Sequence, residues 1–250
     1  MTGGGPCGLW PALDATWPPA GLHRVGPWTL REGRGGGSRV SAATADRPAA
    51  EADVAQAEAG MRAMGQAPLF RIGPGQDALD ALLAARGYEM FDPVVIYAAG
   101  LPLPGGPDAE GGSHAVWPPL GIQSDIWREG GIGAERQAIM ARAPGPKAAI
   151  LGRRADRPAG TAFVAIREGV AVLHAVEVRA ELRRCGVGRG LVLAAARWAA
   201  RQGADRLALA VTRANAPARA LYAGLGFHEA GGYHYRAAPA AGARDRSAGL

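Results

Sequence analysis

One segment constrains this chain more than any other, Val-Glu-Val-Arg-Ala-Glu-Leu-Arg-Arg-Cys-Gly-Val-Gly-Arg-Gly-Leu at residues 176–191. A strand-like run enters a turn holding Gly186, Gly188 and Gly190, and a helical pattern follows at once, with Leu191, Ala194, Ala195 and Trp198 on one face. Glycines let backbone N–H groups converge on one locus without Cβ obstruction. A helix N-terminus adds partial positive charge there, and together they form a cradle for a pyrophosphate. Arg183, Arg184 and Arg189 add charge around it. A P-loop needs Lys-Ser/Thr after its glycines, where this chain has Arg189-Gly190. A dinucleotide-binding turn needs a different glycine spacing and a βαβ start. Asp205 stands near the distance for its acidic residue, but the strands ahead of the turn read as a meander. A glycine-rich helix start with no ligand is the remaining alternative.

Composition narrows the partners. The net charge is +6, and Lys147 is the one lysine among 28 basic residues. The arginines are spread along the chain, whereas a nucleic-acid binder concentrates its charge on one face. Arginine-biased composition and an anion-attracting surface both fit, and no nucleic-acid partner is expected. No apolar run reaches the roughly 20 residues of a membrane span, and no export signal is read at the start, so a cytoplasmic protein without a membrane partner is expected. Cys7 and Cys185 are too few for a disulfide framework or a four-ligand zinc site. No metal is expected.

The chain holds 38 glycines and 19 prolines, far above the ordinary share, and they mark its divisions. Residues 1–26 read as a loosely ordered lead-in. Within 27–100, residues 28–31 and 39–43 look like a hairpin around Gly33–Gly37. Residues 49–64 look like a helix, 68–72 a strand and 77–86 a helix ended by Gly87, and 88–99 contains the strand-like run Val94-Val95-Ile96-Tyr97. The Pro/Gly-rich stretch 101–119 reads as a linker. In 120–236, residues 122–140 read as a strand or turn and then a helix. Three strands follow at 148–153, 160–167 and 170–178, the last two joined by Glu168-Gly169. Then come the glycine turn, a helix to Gln202, a strand at 207–211, a helix at 216–225 and a last strand at 233–235. Residues 237–250 read as a disordered tail.

The order strand, Arg183-x-x-Gly186-x-Gly188, helix resembles the acetyl-CoA-binding motif of the GNAT acetyltransferase superfamily. A second stretch, Asn215-Ala-Pro-Ala-Arg-Ala-Leu-Tyr222-Ala-Gly-Leu-Gly226-Phe227, resembles the family's Asn, Tyr-bearing helix and Gly-Phe corner. The resemblance covers residues 120–236. It implies acetyl-CoA as co-substrate, lying between parallel strands 173–178 and 207–211. Val176 and Val178 would bond the pantetheine arm through their backbone. Cys185, Gly186, Val187, Gly188, Arg189 and Gly190 would hold the pyrophosphate, with Arg183, Arg184 and Asn215 beside them. It further implies direct attack of a primary amine, from a small molecule or a peptide, in a ternary complex. Tyr222 is the expected general acid, since a phenol stays protonated at neutral pH. A core aromatic is the alternative for it. Glu177, on the strand lining the gap, is the candidate base or a solvated strand residue. Cys185 lies away from the expected thioester, which argues against an acyl-cysteine. His174 and His228 read as packing residues.

Laid on Ala220–Phe227, the stretch Ala81–Tyr88 matches it at Ala81, Leu82, Ala84 and Gly87, and sets Tyr88 against Phe227. The first half thus resembles the degenerate copy of a tandem GNAT protein. In the same register Gly186, Gly188 and Gly190 become Arg47, Ala49 and Glu51, and Tyr222 becomes Leu83. The expected fold is α/β, two GNAT-like mixed sheet-plus-helix halves with one acetyl-CoA site, in the second. The expected function is N-acetyl transfer. A non-catalytic acyl-CoA sensor is the alternative, and a homodimer is left open.

Overall fold

The structure is a computed structural model and describes residues 8–104 and 113–238. They form two compact units that are not consecutive in sequence. The larger holds residues 8–18, 96–104, 113–211 and 215–230, and the smaller holds 19–95, 212–214 and 231–238. Among the described residues no helix is long and apolar enough to cross a membrane.

In the smaller unit, β1 (Gly21–Val25) and β2 (Trp28–Glu32) pair antiparallel, closed by Val25↔Trp28 around Gly26, whose φ of +59° suits glycine. On the other edge of β2 lies β3 (Thr44–Ala45). The expected hairpin of residues 28–31 with 39–43 is therefore not formed. The segment in question holds helical turn α2 (Ser38–Ser41), where Ser41 Oγ donates to Gly37 O at 3.0 Å. Helix α3 (Glu51–Ala63) buries Val54, Ala57 and Met61 at helical spacing. They pack with Trp28, Leu30 and Phe70 of β4 (Leu69–Ile72), and with Leu83 of α4 (Asp77–Ala85). Strand β5 (Glu89–Gly100) follows.

The larger unit opens with α1 (Leu9–Ala15), which packs on β8 (Arg157–Arg167) and β9 (Val170–Val178), so helix α1 and strand β1 occupy the stretch read as a lead-in. Its apolar side, Leu9, Ala12 and Leu13, explains why it docks. The linker reading of 101–119 falls partly outside the described residues, and β6 (Ser113–Val116) lies within it. Residues 122–140 form no strand. They belong to two helices, α5 (Gly121–Glu129) and α6 (Ala134–Arg142), parted by Gly130 and Gly131. Strands β7 (Lys147–Arg154), β8 and β9 form the expected meander, with Glu168 and Gly169 both at positive φ. Helix α7 (Val187–Arg201) packs along β6 to β9 through Leu191, Val192, Ala195 and Ala199. Burying one such leucine is worth about 2 kcal/mol. Strand β10 (Arg206–Thr212), helix α8 (Ala216–Ala223) and strand β11 (His228–Ala237) complete the chain, the last far longer than the expected 233–235. Most of the expected tail lies outside the described residues.

The internal repeat has a geometric signature. In the first copy Gly87 N–H donates to Ala84 O and Tyr88 N–H to Leu83 O; in the second, Gly226 donates to Ala223 O and Phe227 to Tyr222 O. Both glycines are left-handed, at φ +82° and +85°. The strands after these corners cross over. In the smaller unit β11, from the second repeat, pairs antiparallel with β4 from the first, Tyr235 opposite Arg71. In the larger unit β5, from the first repeat, adjoins β10 from the second, and just past its end Leu101 N–H reaches Asp205 O at 2.8 Å. Each repeat has given its last strand away.

Candidate functional site

Strands β9 and β10 run parallel and pair over four positions, from Val170↔Arg206 to Leu173↔Leu209. Beyond them β9 carries a bulge. Its register with β8 passes from His174↔Phe163 to Glu177↔Thr161, leaving Ala175 and Val176 against one residue. Ala175 sits at φ +50°, and Trp127 Nε1 donates to its carbonyl at 2.8 Å. A bulge of this kind bends and twists its strand, which opens β9 from β10 where the sequence placed a gap. Arg179 N–H bonds Ala159 O on the β8 side. Alternate residues of a strand direct backbone groups to opposite edges, so Val176 and Val178 face the opened edge.

The turn after β9 makes a short 3-10 turn at Ala180–Leu182, then Arg184 and Gly186 both take left-handed conformations, φ +62° and +81°. Gly186 is the N-cap of α7, without a side-chain cap. The first intrahelical bond runs from Gly190 N–H to Gly186 O at 3.0 Å. The amides of Val187, Gly188 and Arg189 precede it and have no intrahelical acceptor. Arg154, a residue the sequence reading passed over, donates to Cys185 O at 3.1 Å and fixes the loop from the β7 side.

The three glycines answer to different needs. Gly186 is required by its φ. A Cβ on Gly188 would meet Leu221 at 3.5 Å and Val178 at 4.0 Å, and one on Gly190 would meet Ser113 at 4.0 Å. These are ordinary contacts, so the chain's own packing does not demand glycine at 188 or 190. Without Cβ atoms at these positions the amides stay open to an anion of the size of a pyrophosphate. Arg184 and Arg189 are exposed at its rim.

Arg183 is engaged by the protein's own groups. Its Nε donates to Val178 O and its Nη2 to Glu177 Oε1, both at 3.1 Å. Glu177 is thus an ion-paired carboxylate, 17% exposed, and its side chain lies over Gly130. Its carboxylate is held by Arg183 and mostly shielded from solvent. Beside it Arg179 forks onto both oxygens of Glu129 at 3.1 Å. Asn215 also has a structural task, since its Oδ1 accepts from Ala218 N–H at 3.1 Å and caps α8. Cys185 is an exposed free thiol. His174 is packed as expected, 2.9 Å from Thr16 Oγ1 and stacked on Trp17.

Tyr222 is buried on α8, its ring between Tyr97 at 6.1 Å and Phe227 at 5.9 Å. Its hydroxyl makes no hydrogen bond among the described residues. Burial pushes the phenol up to about 12. Sequence reasoning missed the neighbours: Tyr97 donates to Glu229 Oε1 at 3.1 Å, and Arg219 reaches both, Tyr97 Oη at 3.4 Å and Glu229 Oε1 at 3.2 Å. No spacing in the sequence ties residue 97 to residue 222. Among the described residues no cluster of three or more His, Cys, Asp or Glu could hold a metal.

The first half's counterpart of the cradle is closed. Helix α3 begins at N-cap Ala50 and α7 at N-cap Gly186. Aligning the two helix starts puts Ala50, Ala52 and Val54 at the glycine positions, in place of the Arg47, Ala49 and Glu51 that the sequence register set there. Ala50 is at φ −89°, and its own N–H donates to Asp53 Oδ2 at 2.8 Å. Glu51 and Asp53 place two carboxylates in the first turn, where an incoming phosphate would be repelled.

Residues 118–227 match the acetyltransferase (GNAT) family. The fold is similar to that of a GCN5-related N-acetyltransferase from Kribbella flavida, at 20% identity and TM-score 0.66, over 89% of this chain and 90% of that one. It is also similar to a tandem GNAT protein from the clavulanic acid biosynthesis pathway, at 16% identity and TM-score 0.59, over 90% and 86%. A GCN5-related N-acetyltransferase from Sphaerobacter thermophilus matches at 17% identity and TM-score 0.53, over 68% and 58%. At these identities the likeness is one of fold. No curated protein matches the sequence.

Proposed function

From a chain whose residues 118–227 are a GNAT acetyltransferase domain, we propose an acetyl-CoA-dependent N-acetyltransferase that acts on a primary amine by direct attack in a ternary complex. Acetyl-CoA supplies the acetyl group as an activated thioester. The observation that carries the reading is the pairing of an unblocked helix start at Gly186–Gly190 with an unpartnered phenol on the adjoining helix, Leu221 of α8 lying over Gly188.

Each residue then has a task. The amides of Val187, Gly188 and Arg189 hold the pyrophosphate, and Arg184 and Arg189 neutralise it. The backbone of Val176, and of Val178 once Arg183 leaves its carbonyl, takes the pantetheine arm as an added strand. Tyr222, protonated across the physiological range, donates its proton to the departing sulfur. Glu177 draws the cationic amine and relays its proton through water. For that its bond to Arg183 must loosen, and a pair whose arginine is 60% exposed holds weakly. Arg183 then turns toward the phosphates.

The test is free-thiol release from acetyl-CoA against a panel of amino acids, polyamines, aminoglycosides and a peptide with a free amino terminus. Tyr222→Phe keeps the ring and removes the donor. Turnover should fall about 10²–10⁴-fold with acetyl-CoA affinity nearly unchanged. Turnover within about twofold of the parent refutes the acid assignment. Tight binding with turnover of no amine would favour an acyl-CoA sensor.

A further inference from the structure

We propose that Tyr97, carried by β5 out of the first repeat, is a positioning residue for the transfer step and holds the Tyr222 phenol in its direction. This rests on the reading of Tyr222 as proton donor. Tyr97 is 4% exposed and its ring abuts that of Tyr222 at 45°. With no hydrogen bond of its own among the described residues, the Tyr222 hydroxyl points where packing sends it. Its two ring neighbours are anchored in different ways. Phe227 is held by the corner, its N–H on Tyr222 O at 3.1 Å. Tyr97 is held by its hydroxyl, which donates to Glu229 on β11 and receives Arg219 of α8.

Arg219 stands three residues before Tyr222, on the same face of α8. One polar network therefore pins both the ring beside Tyr222 and the helix that carries it. Packing alone would be served by phenylalanine at 97. A buried hydroxyl is costly unless it is bonded, and here it forms the centre of a three-residue tie between β5, α8 and β11. The position has a topological meaning as well. In the larger unit the strand beside β10 comes from the other repeat. The first half, whose own cradle is closed, thus supplies a component to the site of the second.

The experiment is a double-mutant cycle in the full-length protein with Tyr97→Phe, Tyr222→Phe and both. The readout is thiol release from acetyl-CoA, with water as acceptor and with the fastest amine of the screen. Protonation of the sulfur is needed with either nucleophile. Tyr97→Phe should lower kcat about tenfold, the scale of a small misplacement of a catalytic group, while KM for acetyl-CoA stays within about twofold. Added to Tyr222→Phe it should lower kcat by less than about twofold, because the donor it positions is already gone. Equal losses in both backgrounds, or no loss in the parent, overturn the positioning role while leaving the acid assignment standing. An unchanged kcat in Tyr222→Phe overturns the acid assignment itself, and this proposal with it.

Discussion

Replacing Asp80 with Asn should loosen the exchanged strand β11, and the structure sets the size of the effect. Asp80, on α4, accepts from Arg236 Nε at 2.7 Å and from Arg236 Nη2 at 2.9 Å, and its Oδ1 lies 2.7 Å from His234 Nε2. The side chains are 23% exposed for Asp80 and 12% for Arg236, so solvent screens the clasp little. The bonds to Arg236, then to His234, outweigh the cost of burial and hold the carboxyl at about 2, against an ordinary 3.8. At 1.36 kcal/mol per pKa unit, that depression corresponds to about 2 kcal/mol of folding stability. The sign follows from the direction of the shift. A carboxyl depressed on folding contributes above its unfolded pKa, and the contribution fades as pH falls from about 4 to about 2. Urea unfolding of parent and Asp80→Asn should therefore differ by about 2 kcal/mol at pH 7, and the difference should shrink steadily below pH 4. A difference at pH 7 no larger than an ordinary surface substitution gives, or one undiminished at pH 2, would show that the clasp is not what fastens β11 to α4.

Gly188→Glu should remove acetyl-CoA binding in calorimetry with little change in thermal midpoint, because a Cβ at 188 meets protein atoms only at 3.5 Å and beyond; retained affinity in the folded variant would sink the cradle assignment. Parent protein should bind one acetyl-CoA per chain, since Asp53 and Glu51 close the start of α3; a stoichiometry near two that survives Gly188→Glu would contradict this. Gly186→Ala should lower stability by about 1 kcal/mol, the cost of a Cβ at φ +81°, and a neutral result in urea unfolding would argue against the left-handed cap.

The features legible from neighbouring residues are local ones. The glycine turn ahead of α7, the Asn-capped helix bearing Tyr222 and the Gly-aromatic corners are each written in neighbouring residues, because left-handed φ, capping and helical period depend on few positions. The meander of β7, β8 and β9 was legible for the same reason. Its turn at Glu168-Gly169 needs two positive φ values and declares itself. The internal repeat was visible in Ala81–Tyr88, and the halves agree in geometry at Gly87 and Gly226.

Tertiary structure decided the rest. The hydroxyl of Ser41 and the turn at Gly26 settled which strand pairs with β2, a choice that apolar patterning leaves open. The ion pair of Arg183 with Glu177, two residues assigned separate tasks, depends on the path of the chain between them through the turn at Ala180–Leu182. The exchange of β5 and β11 is the largest such decision. Strand β5 carries an apolar run and β11 alternates tyrosines with polar residues, and such patterning records which face is buried, not which neighbour lies alongside. The neighbour is set by pairings distant in sequence, Leu101 with Asp205 and Tyr235 with Arg71. Tyr97 lies beside Tyr222 only because of that exchange, so no reading of residues near either one could have joined them.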